Sequence, residues 1–526
     1  MTDGGTISYV SAEITEEMHQ RYDKALDDLE EELGRSYRMQ IGGREVGAVH
    51  SFDIRSPVDS TLLIGTFPSA SHGDIAGAIE EACHAEGDWA GRDWKERVRI
   101  LRDIAGRIER DAFRLAALLT LEVGKNRAEA LAEVGETVAI LLYYCACIDR
   151  EGGYTRSLPP PGPGMRCESV MRPFGTWAVI APFNFPLAIA AGMSAGALIT
   201  GNTVVLKPTS LAPLTGLALY WHCVEGGVPP GAINLVTGPG EVFGEVVAAH
   251  KDVDGIAFTG SRAVGMWLYR TLAARQPYPK PIVAEMGSKN PVIVTESADP
   301  DAAADGVARA AFGYSGQKCS ATSRVYVDVS VAGAFLDRLV ARTEALAIGD
   351  PRERETFVGP LITSHALETF RGAVAEAERD GGRVLVGGEI LREGTLARGY
   401  YAQPTVVTNL PREHRLLREE LFMPFVAVQT VGSLDEALKE SNDTEYGLTA
   451  GIFSGNESDI HAFFSGIHFG VVYVNRRGGA TTGAWPGSQP FGGWNASGLT
   501  GKGAGGPYYL LSFLREQSRT RDAASH

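Results

Sequence analysis

Met18, Tyr22, Leu26, Leu29 and Leu33 recur at helical spacing in TEEMHQRYDKALDDLEEEL, and Gly34 follows. This spacing predicts an amphipathic helix over 15–33, ended by the glycine. A polar stretch with short strand candidates comes next, then several helices between about residues 72 and 148. From residue 176 the rhythm changes. TWAVIAP, NTVVLKP (202–208), AINLVTG (232–238), DGIAFTGS (254–261) and PIVAEMG (281–287) are short apolar runs. Helical stretches separate them, one from about 186 and one across 212–225. Apolar strands alternating with helices predict an α/β fold with a parallel sheet wound on both faces, and such sheets bind ligands at the strand carboxyl ends. A second alternation, from 291 to about 470, predicts a second α/β domain. Between the helices and the first strand, GGYTRSLPPPGPGMRCESVMRP (152–173) carries Pro159, Pro160, Pro161 and Pro163, and reads as an excursion or hairpin leaving the main body.

Composition narrows the function. A chain of 526 residues predicts two or three domains, and 44% hydrophobic with 21% charged residues is an ordinary globular balance. The net charge of −15 argues against nucleic acid or an anionic membrane as partner. The run LAIAAGMSAGALIT (187–200) is too short to span a bilayer and reads as a buried helix. The start, MTDGGTISYVSAEITEE, is acidic and lacks an apolar segment, so a cytoplasmic setting is expected. The six cysteines form no CxxC pair and have no histidines at zinc spacing, which predicts neither a metal site nor a disulfide framework.

One cysteine stands apart. Cys319, in FGYSGQKCSATSR (312–324), lies among small polar residues where a thiol would pack poorly, and where a substrate could reach it. Lys207 closes an apolar strand before Pro208. Asn184 sits between two phenylalanines in APFNFPL, and Glu285 ends PIVAE. GPGEVFG (238–244), with Gly240, is a weak dinucleotide fingerprint; FTGSRAVG (258–265) offers a helix start at Ser261 to a phosphate. Taken singly, each also fits a structural role: a snorkelling lysine, a turn cap, a surface glutamate, a capped helix.

Taken together, APFNFPL, GNTVVLKP, FTGSRAVG, EMGSKNP, FGYSGQKCSA, EELFMPF and QPFGG, with 34 residues from Glu285 to Cys319, resemble the aldehyde dehydrogenase superfamily over about residues 15–515. The resemblance implies an aldehyde dehydrogenase-like α/β fold in three parts. A Rossmann-type cofactor domain takes 1–150 and 174–285, an α/β catalytic domain 286–480, and a small β oligomerisation flap 151–173 and 500–520. A homodimer or higher homo-oligomer follows. It implies Cys319 as nucleophile, Asn184 with the Cys319 N–H as oxyanion donors, and Glu285 as the base for thioester hydrolysis by water rather than transfer to coenzyme A. Lys207 and Glu420 would hold ribose hydroxyls, Ser261 would meet the pyrophosphate, and Phe422 would pack near the nicotinamide ribose. NAD is expected; Ser210 stands where many NAD-specific members carry Glu and would not repel a 2′-phosphate, so NADP is tolerated.

Within the superfamily, LGRSYRMQIGG, FTGSRAVGMWLY and AGGPYYL look like L-glutamate γ-semialdehyde (1-pyrroline-5-carboxylate) dehydrogenases, enzymes of proline catabolism. There Ser320 and the loop near Gly483 and Ala484 would bind the substrate α-carboxylate. Departures from that pattern are Ala139 and Ile140, Ser288, Met423, and a longer loop containing Trp485. Another semialdehyde, or a bulkier aliphatic or aromatic aldehyde, is the alternative substrate. A non-catalytic scaffold relative and a thiol hydrolase using Cys319 are the alternatives of other classes.

Overall fold

Thr176–Ile180, Thr203–Lys207, Ile233–Leu235, Gly255–Thr259 and Ile282–Glu285 run parallel in one sheet of the computed structural model, which describes residues 14–476 and 485–522. Each apolar run read from the sequence after residue 176 supplies one strand. Thr176–Ile180 and Thr203–Lys207 are buried at every position, because helices cover both faces of the sheet. Trp177 and Val179 point into one core with the helices Ala188–Ile199 and Pro213–Glu225. Ala178 and Ile180 point into the other, with His72–Gly91, Gly240–Ala249 and Arg262–Arg275. Met39–Ile41 and Arg44–Val46 add two antiparallel strands at one edge.

The second alternation forms another seven-stranded sheet, with Asn290–Val294 and Thr322–Asp328 near its middle. Its strands are parallel except Arg383–Val386 at one edge. Pro300–Phe312 and Ala332–Glu344 cover one face, Leu434–Asn442 and Glu457–Gly466 the other.

The Pro-rich excursion is a hairpin of Thr155–Leu158 and Met165–Pro173. Leu514–Asp522 pairs antiparallel with the latter along its whole length, from Leu514 opposite Pro173 to Asp522 opposite Met165. The side chains of this three-stranded sheet are mostly exposed. Tyr509, Leu510 and Phe513, just ahead of its last strand, pack instead in the main core, Phe513 against Trp177.

The N-terminal helix spans Glu16–Glu30 and buries Tyr22, Leu26 and Leu29. Thr15 caps it by accepting the Met18 N–H, and Gly34 turns the chain at φ +77°. The run 187–200 forms the buried helix expected of it, Ala188–Ile199. Among the described residues, Arg127–Arg150 is the one helix long and apolar enough by length and composition to cross a membrane, yet it is mostly buried inside the protein. Glu133 and Glu136 interrupt its apolar run in the sequence, which hides its length there.

Asn202, fully buried, ties these parts together. Its Oδ1 accepts the Gly175 N–H at 2.9 Å and the Trp177 indole N–H at 3.2 Å. Its Nδ2 donates to Ala197 O, to Thr200 Oγ1 and, at 3.0 Å, to Phe513 O. One amide thus joins a strand start, a helix end and the segment before the last strand. Asn202→Leu would strand these groups away from water, and should cost about 2–4 kcal/mol. Urea unfolding of the variant checks it; an unchanged midpoint would make the network redundant.

Candidate active site

A cleft of about 840 Å³ opens at the carboxyl ends of the central strands of the first sheet. Asn184, Lys207, Ser210, Gly240, Ser261, Cys319, Glu420 and Phe422 all line it. A smaller pocket of about 110 Å³ is lined by Cys319, Glu285 and Ser320, with Ile140, Tyr144, Phe185, Phe491 and Tyr509. Cys319 and Met286 belong to both walls. The thiol therefore stands where a large cleft meets a small, mainly apolar pocket. Gly483 and Ala484 lie outside the described residues.

The loop carrying Cys319 answers why its sequence is small and polar. Tyr314, Ser315 and Gly316 follow one another in the left-handed region, at φ +49°, +55° and +68°. Two of the three are not glycine, a conformation that must be held from outside. Tyr314 donates to Val123 O and Ser315 to Gly359 O, each at 2.7 Å. Gln317 donates to Pro360 O and accepts the Ile362 N–H. Gly316 admits no side chain, since a Cβ there would lie 2.2 Å from Met423 O. Asn290 fixes the far side of the loop by donating to Cys319 O at 2.7 Å and to Ala321 O at 2.9 Å.

Burial governs the site's electrostatics. It pushes the Cys319 thiol well above the ordinary thiol range, and the carboxylates of Glu420 and Glu285 push the same way. Glu285 accepts the Gly493 N–H at 2.9 Å, yet burial still raises its pKa to about 8. Glu420 accepts the Ser288 N–H at 2.9 Å and is raised by burial to about 7. Gly287 leaves room for that carboxylate: a Cβ would come within 2.3 Å of Glu420 Oε2. Lys207, buried at the end of its strand, donates to Pro208 O and is lowered by burial to about 8. Asn184 is 3% exposed. Ser210 donates to Gly238 O at 2.7 Å, and Ser261 caps Arg262–Arg275 by accepting the Val264 N–H.

The positions named above as departures from the subfamily pattern fall in different places. Ser288 lines neither cavity; it accepts a hydrogen bond from Asn290 inside the network that holds the Cys319 loop. Met423 packs in a separate core with Leu361 and Phe370, so its side chain faces away from the cleft while Phe422, at φ +59°, lines it. Of the two departures in the long helix, Ile140 lines the small pocket. Sequence reasoning missed Trp267 and Glu241 in the cleft wall, although Trp267 lies one turn beyond Val264 on the same helix face. In the small pocket it named Ile140, Glu285, Cys319 and Ser320 but missed Tyr144, Phe491 and other wall residues, which come from segments far apart in the chain.

Comparison with known proteins agrees across nearly the whole chain. The model of the aldehyde dehydrogenase family matches residues 46–518. The 1-pyrroline-5-carboxylate dehydrogenase of Geobacillus kaustophilus is 36% identical over 499 residues, covering 94% of each chain. That of Bacillus subtilis is 34% identical over 498 residues, again 94% of each. A crystal structure of the Thermus 1-pyrroline-5-carboxylate dehydrogenase with bound NAD superposes with a TM-score of 0.92 at 35% identity, over 99% of this chain and 100% of that one. Proline utilization A from Bdellovibrio bacteriovorus superposes at 0.91 and 36% identity; this chain is covered to 96% and spans 52% of that longer one.

Two ion pairs lie behind the site. Lys318, next to Cys319, pairs with Glu129 at 2.6 Å. Lys125 pairs with Glu133 at 2.6 Å, both wholly buried, and its ammonium stands 3.6 Å from the centre of the Phe185 ring. Glu133 also accepts the N–H groups of Leu187 and Ala188. Glu133→Gln keeps an acceptor for those two donors but leaves Lys125 as a buried charge without its counterion. It should lower stability by about 3–5 kcal/mol. Denaturant unfolding measures this, and a loss under ~1 kcal/mol would show that the pair carries no such weight.

Proposed function

The chain belongs to the aldehyde dehydrogenase family, and from that premise we propose that it oxidises glutamate γ-semialdehyde to glutamate with NAD. One arrangement carries the reading: Cys319 is shared by a dinucleotide-sized cleft and a small pocket that also holds Glu285. The relatives' names support the substrate, and the NAD-bound Thermus structure supports the cofactor. In this reading the first sheet forms the cofactor domain, the second the catalytic domain, and the three-stranded sheet the oligomerisation flap.

The residues present suit a dinucleotide. The cleft's volume falls among ordinary ligand sites, and it offers the Lys207 ammonium, the Glu420 carboxyl and the start of the Ser261-capped helix. Lys207 and Glu420 would hold ribose hydroxyls, Ser261 and Gly240 would lie along the phosphates, and Phe422 would pack near the nicotinamide ribose. When bound, NAD supplies the acceptor for the hydride that leaves the aldehyde carbon.

The protein's own groups do the rest. The sulfur of Cys319, once deprotonated, attacks the aldehyde carbon, and the new oxyanion is held by the Asn184 amide and the Cys319 backbone N–H. Oxidation leaves a thioester on Cys319. Glu285 takes a proton from the water that attacks it; the C–S bond breaks and the carboxylic acid departs. Ser320, in the small pocket, would bind the substrate's α-carboxylate together with the loop at Gly483 and Ala484.

A second reading has an observation of its own. The aromatic and aliphatic lining of the small pocket, including Ile140, suits a bulkier apolar aldehyde. Reduction of NAD across an aldehyde panel separates the two: preference for glutamate γ-semialdehyde supports the first, preference for aromatic or long aliphatic aldehydes the second.

Three outcomes test the residue roles. Cys319→Ala should abolish turnover and keep dinucleotide binding; residual steady-state oxidation would remove Cys319 from the mechanism. Below about pH 8 the Glu285 carboxyl keeps its proton and cannot accept another; above it the carboxylate can. Turnover limited by thioester hydrolysis should therefore rise with pH and level off beyond about 8. Glu285→Gln should form one equivalent of reduced cofactor and then stall, and undiminished turnover in that variant would refute the base.

A further inference from the structure

We propose that Glu241 makes this enzyme favour NAD over NADP, by placing a carboxylate where the 2′-phosphate would lie. The proposal rests on the reading of the cleft as the cofactor site. Glu285 ends the strand at one side of the parallel strands, whereas Ser210, Gly240, Glu241 and Glu245 follow Thr203–Lys207 and Ile233–Leu235 at the other; with the nicotinamide at Cys319, the adenosine half would lie along this second part of the cleft wall.

At that end a phosphate would find some attraction. The helix Gly240–Ala249 begins there after Pro239, and no side chain caps it, so its free N–H groups and positive dipole end favour an anion. Ser210 is small and uncharged, and its hydroxyl is already donated to Gly238 O at 2.7 Å. Neither feature turns a 2′-phosphate away.

Glu241 does. It stands in the first turn of that helix, where its charge opposes the dipole, and it lines the cleft. Glu245, one turn on, lines the same wall and has His72 at 3.8 Å. Lys207 is the only lysine or arginine among the described residues of the cleft wall. A 2′-phosphate would add a double negative charge beside two carboxylates, with Lys207, already assigned to a ribose, as its one lysine or arginine partner in the described wall. The unphosphorylated ribose meets no such repulsion.

The test is the ratio of NADP to NAD dissociation constants, read from quenching of tryptophan fluorescence, since Trp267 lies in the cleft wall. AMP and its 2′-phosphorylated form, used as competitors, confine the comparison to the adenosine end. The wild type should bind NAD more tightly. Glu241→Gln should improve NADP relative to NAD roughly five- to tenfold at low salt, and the gain should shrink as salt rises. Glu241→Asp should keep the wild-type ratio, and Glu245→Gln should move it less. An unchanged ratio in Glu241→Gln, with both dinucleotides bound, overturns the proposal; so does a gain indifferent to salt, which would be steric. If neither dinucleotide binds the wild type, the cofactor reading of the cleft fails instead.

Discussion

Four charges buried between the long helix and the Cys319 loop set the positions on which the site depends. Glu129 holds Lys318, and Glu133 holds Lys125, within the same stretch of helix. Taking such charges from water is costly, and a well-packed apolar pair is often as stable or more so. Removing one partner is what destabilises strongly. The pairs are thus weak contributors to net stability and strict determinants of register: a shifted loop would leave an ammonium or a carboxylate alone in the interior. Glu133 adds a second constraint by accepting two N–H groups at the start of Ala188–Ile199, just after Asn184. The helix is itself anchored, because Asn126 donates to Phe357 O and Arg127 to Arg352 O. One helix end therefore fixes Asn184 and Cys319 against each other.

Burial also moves the ionisable groups around the thiol toward their neutral forms. Glu285 and Glu420 rise, Lys207 falls, and Cys319 rises with its neighbours' charge adding to the effect. A site poor in charge at rest keeps its thiol protonated and poorly reactive toward stray electrophiles. It also gives full weight to dipoles already in place, such as the Asn184 amide, when negative charge develops on a bound carbonyl oxygen. In the proposed reaction, the same low polarity that suppresses the thiol would strengthen the stabilisation of the oxyanion.

Much of this was legible in the sequence, for identifiable reasons. A parallel strand covered on both faces is apolar throughout, so TWAVI and TVVLK announced themselves, and Asn184, Lys207 and Glu285 followed as polar residues at or just beyond strand ends. Cys319 stood out because its loop needs a left-handed turn and a glycine at 316. What stayed hidden depends on contacts between distant segments. Lys125, Glu129 and Glu133 carry no signal of burial in the sequence, and only the packing of Tyr314, Phe185 and Lys318 around them shows that they are buried. The Gly493 N–H reaches Glu285 across 208 residues of chain. Ser288 and Met423, near the cleft in sequence, turn their side chains into a polar network and a separate core.

The division of labour between the two cavities follows from how each is built. The cleft is made largely of strand ends and helix starts of one sheet, where backbone position dictates side-chain position. The groups assigned to the reaction in our proposal share that rigidity: Glu285 ends a strand, and Cys319 is pinned by its own carbonyl through Asn290. The small pocket is walled by side chains from the long helix, from Phe185 to Met193, and from 486 to 509. Few of these hold the Cys319 loop in place. Ile140 lines that pocket and faces Gly192 across the helix contact, where an added Cβ would lie 3.5 Å from it. Changing such a residue alters the shape of the pocket and leaves Cys319, Asn184 and Glu285 where they were. In the reading proposed above, the backbone of this fold holds the reacting groups, and substrate choice is left to side chains that can vary independently of it.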